Sequence, residues 1–457
     1  MSAIPSGLET DKQPPMTLPL RHFVVALAFL LAGVGLGVAS AVGWLSGLVR
    51  LAHLHALLAG WICLTIMGAM TQFVPVWSAV SLHSRRLAAV QLWLVAGGLV
   101  GFVAALLALD LTLLAVAGGV MLVGFWLFVY NILRTLPSLR EFDVTEAHFA
   151  LALGFFLAAT TLGLLLAVDF TTGILYEWGL NRMAVVGAHA TLAVFGAVMT
   201  TVVGALYQLG TMFTQTELGR VDTLLQRGES VAYPLGVVAL AGGRLLEHPA
   251  LARLGGLAIV GSLLAVAVVI ARKLLESQVD WTPMLSRYAV VALAIVAWAG
   301  LTAPAWLADP LALDRLLAAP GAIHLLAFGV IGFVVFGTLY HVVPFIIWVH
   351  RYSDLLGYEP VPMIDDLYSD RLAVVDFGCL LGGLGGVFAG VYFGGPTILL
   401  VAGGTLAIIG AAVFTANMLL VIRRHSPHTL VGILGVPGDH TRGETDPSPG
   451  VDPTERE

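Results

Sequence analysis

The sequence predicts an all-α polytopic membrane protein, with about twelve transmembrane helices in three pseudo-symmetric four-helix units. Three observations carry that expectation. Of 457 residues, 58% are hydrophobic and only 11% charged, a balance that belongs to an integral membrane protein. The apolar residues fall in runs of about 20, the length of helix that crosses a bilayer core. One stretch, HLHALLAGWICLTIMGAMTQFVP from His53 to Pro75, returns twice, as HATLAVFGAVMTTVVGALYQ from His189 and as AIHLLAFGVIGFVVFGTLYHVVP from Ala322.

In chain order, residues 1–20 form a polar, proline-rich segment. It lacks the short apolar core and cleavage site of a signal peptide, so the first span is expected to stay in the mature chain. The twelve expected spans are 22–47, 51–78, 88–109, 111–134, 146–168, 181–210, 230–247, 250–273, 285–308, 321–349, 372–393 and 397–423. They divide the membrane domain, 21–425, into repeats of about 21–140, 141–275 and 276–425. A longer loop with acids and prolines, 350–371, separates the tenth and eleventh spans. Residues 426–457 are polar and rich in Pro and Gly, and are expected to form a disordered acidic tail. The formal charge of −6 resides in loops and tail, and no basic run points to nucleic acid. Cys63 and Cys379 both fall in apolar spans and read as small buried hydrophobes.

The three copies agree in register. With His53, His189 and Ala322 at position zero, position seven is Gly60, Gly196 and Gly329, and position fifteen is Gly68, Gly204 and Gly337. Position nineteen is Gln72, Gln208 and His341. The first and third copies share a histidine at position two (His55, His324) and a proline at position twenty-two (Pro75, Pro344). The copies begin 136 residues (53 to 189) and 133 residues (189 to 322) apart. That spacing makes them the second span of three parallel units, not an inverted repeat. Lys and Arg cluster on one side of the spans, which predicts cytoplasmic termini and histidines in the outer part of a cell membrane.

A histidine inside a membrane is costly and marks a functional hypothesis. Neutral imidazole ligates iron well, and two histidines on facing helices can hold a heme from both faces. Residues two apart on a helix are about 200° apart, so only one of His53 and His55 can face a heme held by His324. The shared register favours His55. His53 and His189 share position zero and could face a second, altered site. Gln72, Gln208 and His341 read as an interhelical hydrogen-bond layer. Arg50 and Arg182, at the entries to the second and sixth spans, could pair with heme propionates or snorkel to the interface.

These motifs resemble the large subunit of the heme–copper oxidase and nitric oxide reductase superfamily. In that family the second histidine of a His-x-His pair on the tenth helix ligates the low-spin heme, with glycine, histidine and proline following at thirteen, seventeen and twenty. His324, Gly337, His341 and Pro344 match. HLHALLAGW with Gly68 and Pro75 is similar to the family's second helix, which brings the other ligand. The resemblance implies a low-spin b-type heme held by His55 and His324, with His53, His189, Arg50 and Arg182 as further cofactor-site candidates. The departures concern the binuclear centre. Ala322 stands where the high-spin heme ligand is expected, and Ala193 where oxidases carry a tyrosine. The seventh span lacks a His-His pair, and His248 lies past its end. Copper is therefore not expected, and His189 alone cannot close a metal site. The glycines and proline after the eleventh span (Gly394, Gly395, Pro396) replace the usual propionate arginines.

The resulting expectation is a heme-binding membrane protein for electron transfer or redox sensing. Its partners would be a quinone, a cytochrome or a small membrane subunit. The alternatives are an active oxygen or nitric oxide reductase with an unrecognised metal site, and a heme-free transporter or scaffold.

Overall fold

The computed structural model describes residues 13–138 and 142–435. Lys12, Arg140, His440 and most of the expected tail, 436–457, lie outside the described residues.

The described chain is helical throughout, with no named strand. Eleven helices among the described residues are long and apolar enough to cross a membrane: α1 Thr17–Ala41, α2 Val49–Trp77, α3 Arg85–Ala108, α4 Leu111–Leu133, α5 Val144–Thr172, α6 Arg182–Thr214, α8 Pro249–Leu275, α9 Pro283–Ala308, α10 Leu325–Arg351, α11 Asp370–Tyr392 and α12 Thr397–His425. Between α6 and α8 lies α7, Arg220–Leu245. It has the length of a span but a polar first half. Asp222 is buried there against Arg272 and Lys273 of α8 (2.7 and 3.0 Å), and Glu229 is also buried. Charges that are paired across a helix hairpin escape the cost of facing lipid, so α7 starts ten residues before its apolar run.

The helix starts follow local chemistry. Ser84, Asp110, Asp143 and Thr282 each cap a helix, accepting a bond from a backbone N–H in the first turn that would otherwise have no partner. His248 does the same for α8, accepting from Leu251 N at 3.2 Å. Two sequence expectations shift. The first span begins at Thr17, inside the segment read as polar. The chain after Arg424 stays ordered through Leu430–Leu434, a short helix capped by Thr429. Ile433 is fully buried there, and Arg21 of α1 donates to its carbonyl at 2.5 Å.

Three helices form the centre. In α2, α6 and α10 the apolar window is 78%, 78% and 89% buried, against 33–56% in the other spans. These are the helices made by the repeated stretch. Each contains one π-helical segment of eight residues: Ala56–Cys63, Leu192–Met199 and Leu325–Gly332. All three run from position three to position ten of the repeat. Each packs on the helix before it, α1, α5 and α9 respectively. The position-seven glycines allow this approach. A Cβ added at Gly60 would meet Phe29 Cγ at 2.6 Å, at Gly196 Phe155 Cβ at 2.8 Å, and at Gly329 Ala294 Cβ at 2.9 Å. The peripheral pairs α3/α4, α7/α8 and α11/α12 close in the same manner. There a Cβ at Gly98, Gly236 or Gly383 would come to 2.7, 2.9 or 2.8 Å from the partner helix.

Farther along the central helices, an apolar cavity of about 80 Å³ lies between them. Equivalent positions of the repeats line it: Thr65, Thr201 and Val334 at position twelve, and Phe73, Leu209 and Val342 at position twenty.

Candidate functional site

Four histidines stand where α2, α6 and α10 begin. His53 and His55 end the α-helical turns that lead into the first π segment. His189 precedes the second, and His324 caps the third. A π turn carries one extra residue and re-aims the side chains before it, which is why such turns concentrate at functional sites.

His53 and His189 are held alike. The His53 Nδ1 pairs with the Gly33 carbonyl of α1 at 2.7 Å, and the His189 Nδ1 with the Ala159 carbonyl of α5 at 2.9 Å. Both contacts lie 126 residues apart on the neighbouring helix (33 to 159). The same offset relates the glycines that make room for the rings. A Cβ at Gly37 would fall 2.7 Å from the His53 Cε1, and one at Gly163 2.9 Å from the His189 Cε1. Bonding Nδ1 to a carbonyl fixes the tautomer that leaves Nε2 as the free lone pair, the arrangement found behind metal-ligating imidazoles.

The position-two histidines complete the set. His55 Nδ1 pairs with the Leu51 carbonyl of its own helix at 2.9 Å, and its ring lies 4.9 Å from Phe102 of α3. The buried Nδ1 of His324 has no hydrogen-bond partner. An orphaned buried nitrogen costs about 1–3 kcal/mol unless a bound group or water meets it. Residues two apart on a helix point about 200° apart, so His53 and His55 face different sides of α2. His53 faces α1 through Gly33 and Gly37, and His55 faces α3 through Phe102.

Thr191, the position-two residue of α6, is held by an arginine. Arg244 of α7, 2% exposed, donates to Thr191 Oγ1 at 2.7 Å, to the Pro310 carbonyl at 3.1 Å and to the Arg315 carbonyl at 3.3 Å. Its guanidinium stands 5.6 Å from the ring of Trp306. Trp306 and Trp298, both fully buried, pack edge-on at 5.7 Å, with Phe195 against each.

The expected propionate arginines divide. Arg50 is exposed. Arg182 is committed to Asp169 of α5 in an ion pair, donates to the Leu166 carbonyl at 3.0 Å and covers Phe170 at 3.9 Å. An acid next to it already takes the role a propionate would have. The expected layer of Gln72, Gln208 and His341 does not form. Gln208 is exposed, neither amide atom of buried Gln72 has a partner, and the His341 ring packs on Phe213 at 4.5 Å and Phe345 at 5.8 Å.

The polar layer at the far end is built from other residues. Asp376 accepts from Arg287 and Tyr340, and Asn417 donates to the Tyr340 oxygen at 3.1 Å. Glu229 accepts from Tyr207 at 3.0 Å and meets His148 Nε2 at 3.3 Å. His148 and His22, which the sequence places at helix ends without a role, are buried beneath the position-fifteen glycines Gly204 and Gly68. Arg244 and its tryptophans also escaped the sequence reading. Their only signal was an arginine near the end of an apolar run.

Among the described residues, no group of three or more His, Cys, Asp or Glu side chains converges on one point. Two imidazoles can serve as the protein donors to a heme iron. The free Nε2 lone pairs of His53, His55 and His189 and the unpartnered Nδ1 of His324 suit that role. Two turns beyond His53, the indole of Trp61 packs on Phe336 of α10 at 4.7 Å. Comparison with protein-family models and with curated proteins returns no match for this chain.

Proposed function

We propose that this protein is a membrane heme protein on the architecture of the respiratory heme–copper oxidase large subunit, with a low-spin b-type heme between α2 and α10. The ligands are His324 of α10 and His55 of α2. The observation that carries the reading is the buried Nδ1 of His324, which has no hydrogen-bond partner, on a histidine that shares its repeat position with His55. In this reading all twelve long helices span the membrane. They form three parallel four-helix units, each with its second helix at the centre, and Lys and Arg asymmetry sets both termini in the cytoplasm.

When bound, such a heme supplies reversible one-electron exchange. The chain's own residues would then orient the imidazoles, as the Leu51 carbonyl does for His55, and keep the site dry. That suits electron transfer or redox sensing with a quinone or cytochrome partner. An oxygen or nitric oxide reductase would require a second metal with at least three ligands beside the heme.

The test is a reduced-minus-oxidised spectrum with a pyridine hemochrome heme count. A low-spin b-type spectrum that is lost in both His324→Ala and His55→Ala supports the site. Absence of heme in wild type loaded under heme-replete conditions would leave a heme-free transporter or scaffold.

A further inference from the structure

The polar layer at the far end is written three times, and its three versions differ in one property. Helices α1, α5 and α9 each set a nitrogen-bearing side chain against a position-fifteen glycine. A Cβ at Gly68, Gly204 or Gly337 would fall 2.7, 2.5 or 3.2 Å from the Cβ of His22, His148 or Arg287. Helices α3, α7 and α11 place Gln91, Glu229 and Asp376 seven residues before the close-approach glycines Gly98, Gly236 and Gly383. Position eighteen of the repeat is Thr71, Tyr207 and Tyr340. All nine side chains are buried.

In the third version the charge is fixed. Arg287 donates to one oxygen of Asp376 and Tyr340 to the other, and a guanidinium does not release its proton. In the first version nothing ionises at the acid's place. Gln91 is an amide, and neither of its polar atoms nor the Nε2 of His22 has a partner.

The second version is different. Tyr207 donates to the Glu229 Oε2 at 3.0 Å. The His148 Nδ1 meets the Val144 carbonyl at 2.6 Å, and its Nε2 meets the Glu229 Oε1 at 3.3 Å. The carbonyl takes the Nδ1 proton, so Nε2 and Oε1 are two facing acceptors unless one more proton lies between them. With that proton the pair is neutral overall, as imidazolium and carboxylate or as imidazole and carboxylic acid. Without it, one negative charge stays buried and uncompensated, a strongly disfavoured state.

The charged groups on the surrounding elements are committed elsewhere or face out. Asp143 and Glu146 close the capping box of α5, and Ser78 donates to Glu146. Asp222 of α7 is held by Arg272 and Lys273 of α8, which also pair with Glu276. Arg134 beyond α4 and Arg220 and Arg227 of α7 are exposed. The Tyr233 hydroxyl of α7 donates to the Phe195 carbonyl at 2.8 Å. Tyr207 also lines a void of about 20 Å³ with Thr211 and Thr214, room for about one water, so the phenol can exchange protons with solvent.

We propose that His148, Glu229 and Tyr207 form a proton-binding site at the joint of α5, α6 and α7. It holds one exchangeable proton at neutral pH and releases it to water in alkaline medium, leaving neutral imidazole and carboxylate. The buried charge then loosens α7 from α5 and α6. Above about pH 6.5, the ordinary value of histidine, the unfolded chain holds neither proton of the pair. The folded chain then binds one proton more, so its stability falls as pH rises. The site lies apart from the histidines assigned to heme, and its test is independent of that assignment.

The experiment follows full-length protein in detergent from about pH 6.5 to about pH 10, bounded by the ordinary values of histidine and tyrosine. It reads pH-difference infrared spectra and the unfolding temperature. Wild type should show a one-proton transition in carboxyl or imidazole bands, with Tm falling across it. Glu229→Gln, which copies Gln91, should remove the transition. His148→Arg copies Arg287, fixes the pair as an ion pair, and should remove it as well. Tyr207→Phe takes a donor from the carboxylate and should move the transition to higher pH, a shift that a merely structural contact would not produce. Wild type without a transition, or a transition with the same midpoint in Glu229→Gln, overturns the proposal. If His148→Arg fails to fold, Glu229→Gln and Tyr207→Phe decide it.

Discussion

The central helices treat position two of the repeat in two ways. In α6 that position is Thr191, and buried Arg244 satisfies its hydroxyl and two carbonyls beside fully buried Trp298 and Trp306. In α2 and α10 it is His55 and His324, and the Nδ1 of His324 is left without a partner. The register of the π turn is the same in all three. One scaffold thus carries a filled joint or an imidazole slot according to what stands at position two. The filled joint contributes to the stability of the bundle by itself. The slots hold groups that need a partner, so their contribution to stability depends on what they bind.

That contrast can be broken in order of expected effect. Trp306→Ala should cost about 3–5 kcal/mol of stability, as large aromatic truncations in packed cores do, and leave heme content unchanged. Thermal or denaturant unfolding in detergent, read beside the heme count, checks both halves. Arg244→Met removes three bonds and strands their oxygens, for a loss of about 2–3 kcal/mol, again without spectral change. If either variant instead abolished heme, the division between filled joint and slot would be wrong.

Histidine variants act in the opposite way. His55→Ala and His324→Ala should each remove the low-spin spectrum, with a modest change in the unfolding of the heme-free protein. The smallest effect belongs to Arg182→Gln. Its partners are Asp169 and a carbonyl, so loss of a partly exposed pair should cost about 0–1 kcal/mol and leave the spectrum intact. A loss of heme in this variant would restore the propionate role that its entry position suggested.

Much of the fold was legible because bilayer crossing imposes a length. The expected spans coincide with the observed helices within a few residues, from α2 at Val49–Trp77 to α12 at Thr397–His425. The exception, α7, hides its first ten residues behind charges whose partners, Arg272 and Lys273, lie on the next helix. The central role of the repeated stretch was also readable, since only helices buried on all sides can be apolar all round.

Spacing marks the histidines of the repeat as candidates but does not show how they are held, since the bonds of His53 to Gly33 and of His189 to Ala159 join residues 20 and 30 apart on different helices. Nor does anything in the local sequence announce the Arg244 joint. Thr191, Pro310 and Arg315 are separated from Arg244 by 53, 66 and 71 residues, and only folding brings them together. The ordered segment after α12 was missed for the same reason, since the contact of Arg21 with Ile433 joins residues 412 apart.

The most direct test of the central claim is the reduced-minus-oxidised spectrum of the purified full-length protein, with heme counted, in wild type and His324→Ala. The account expects a low-spin b-type spectrum in wild type that is lost in the variant. An identical spectrum and heme count in the two proteins would contradict it.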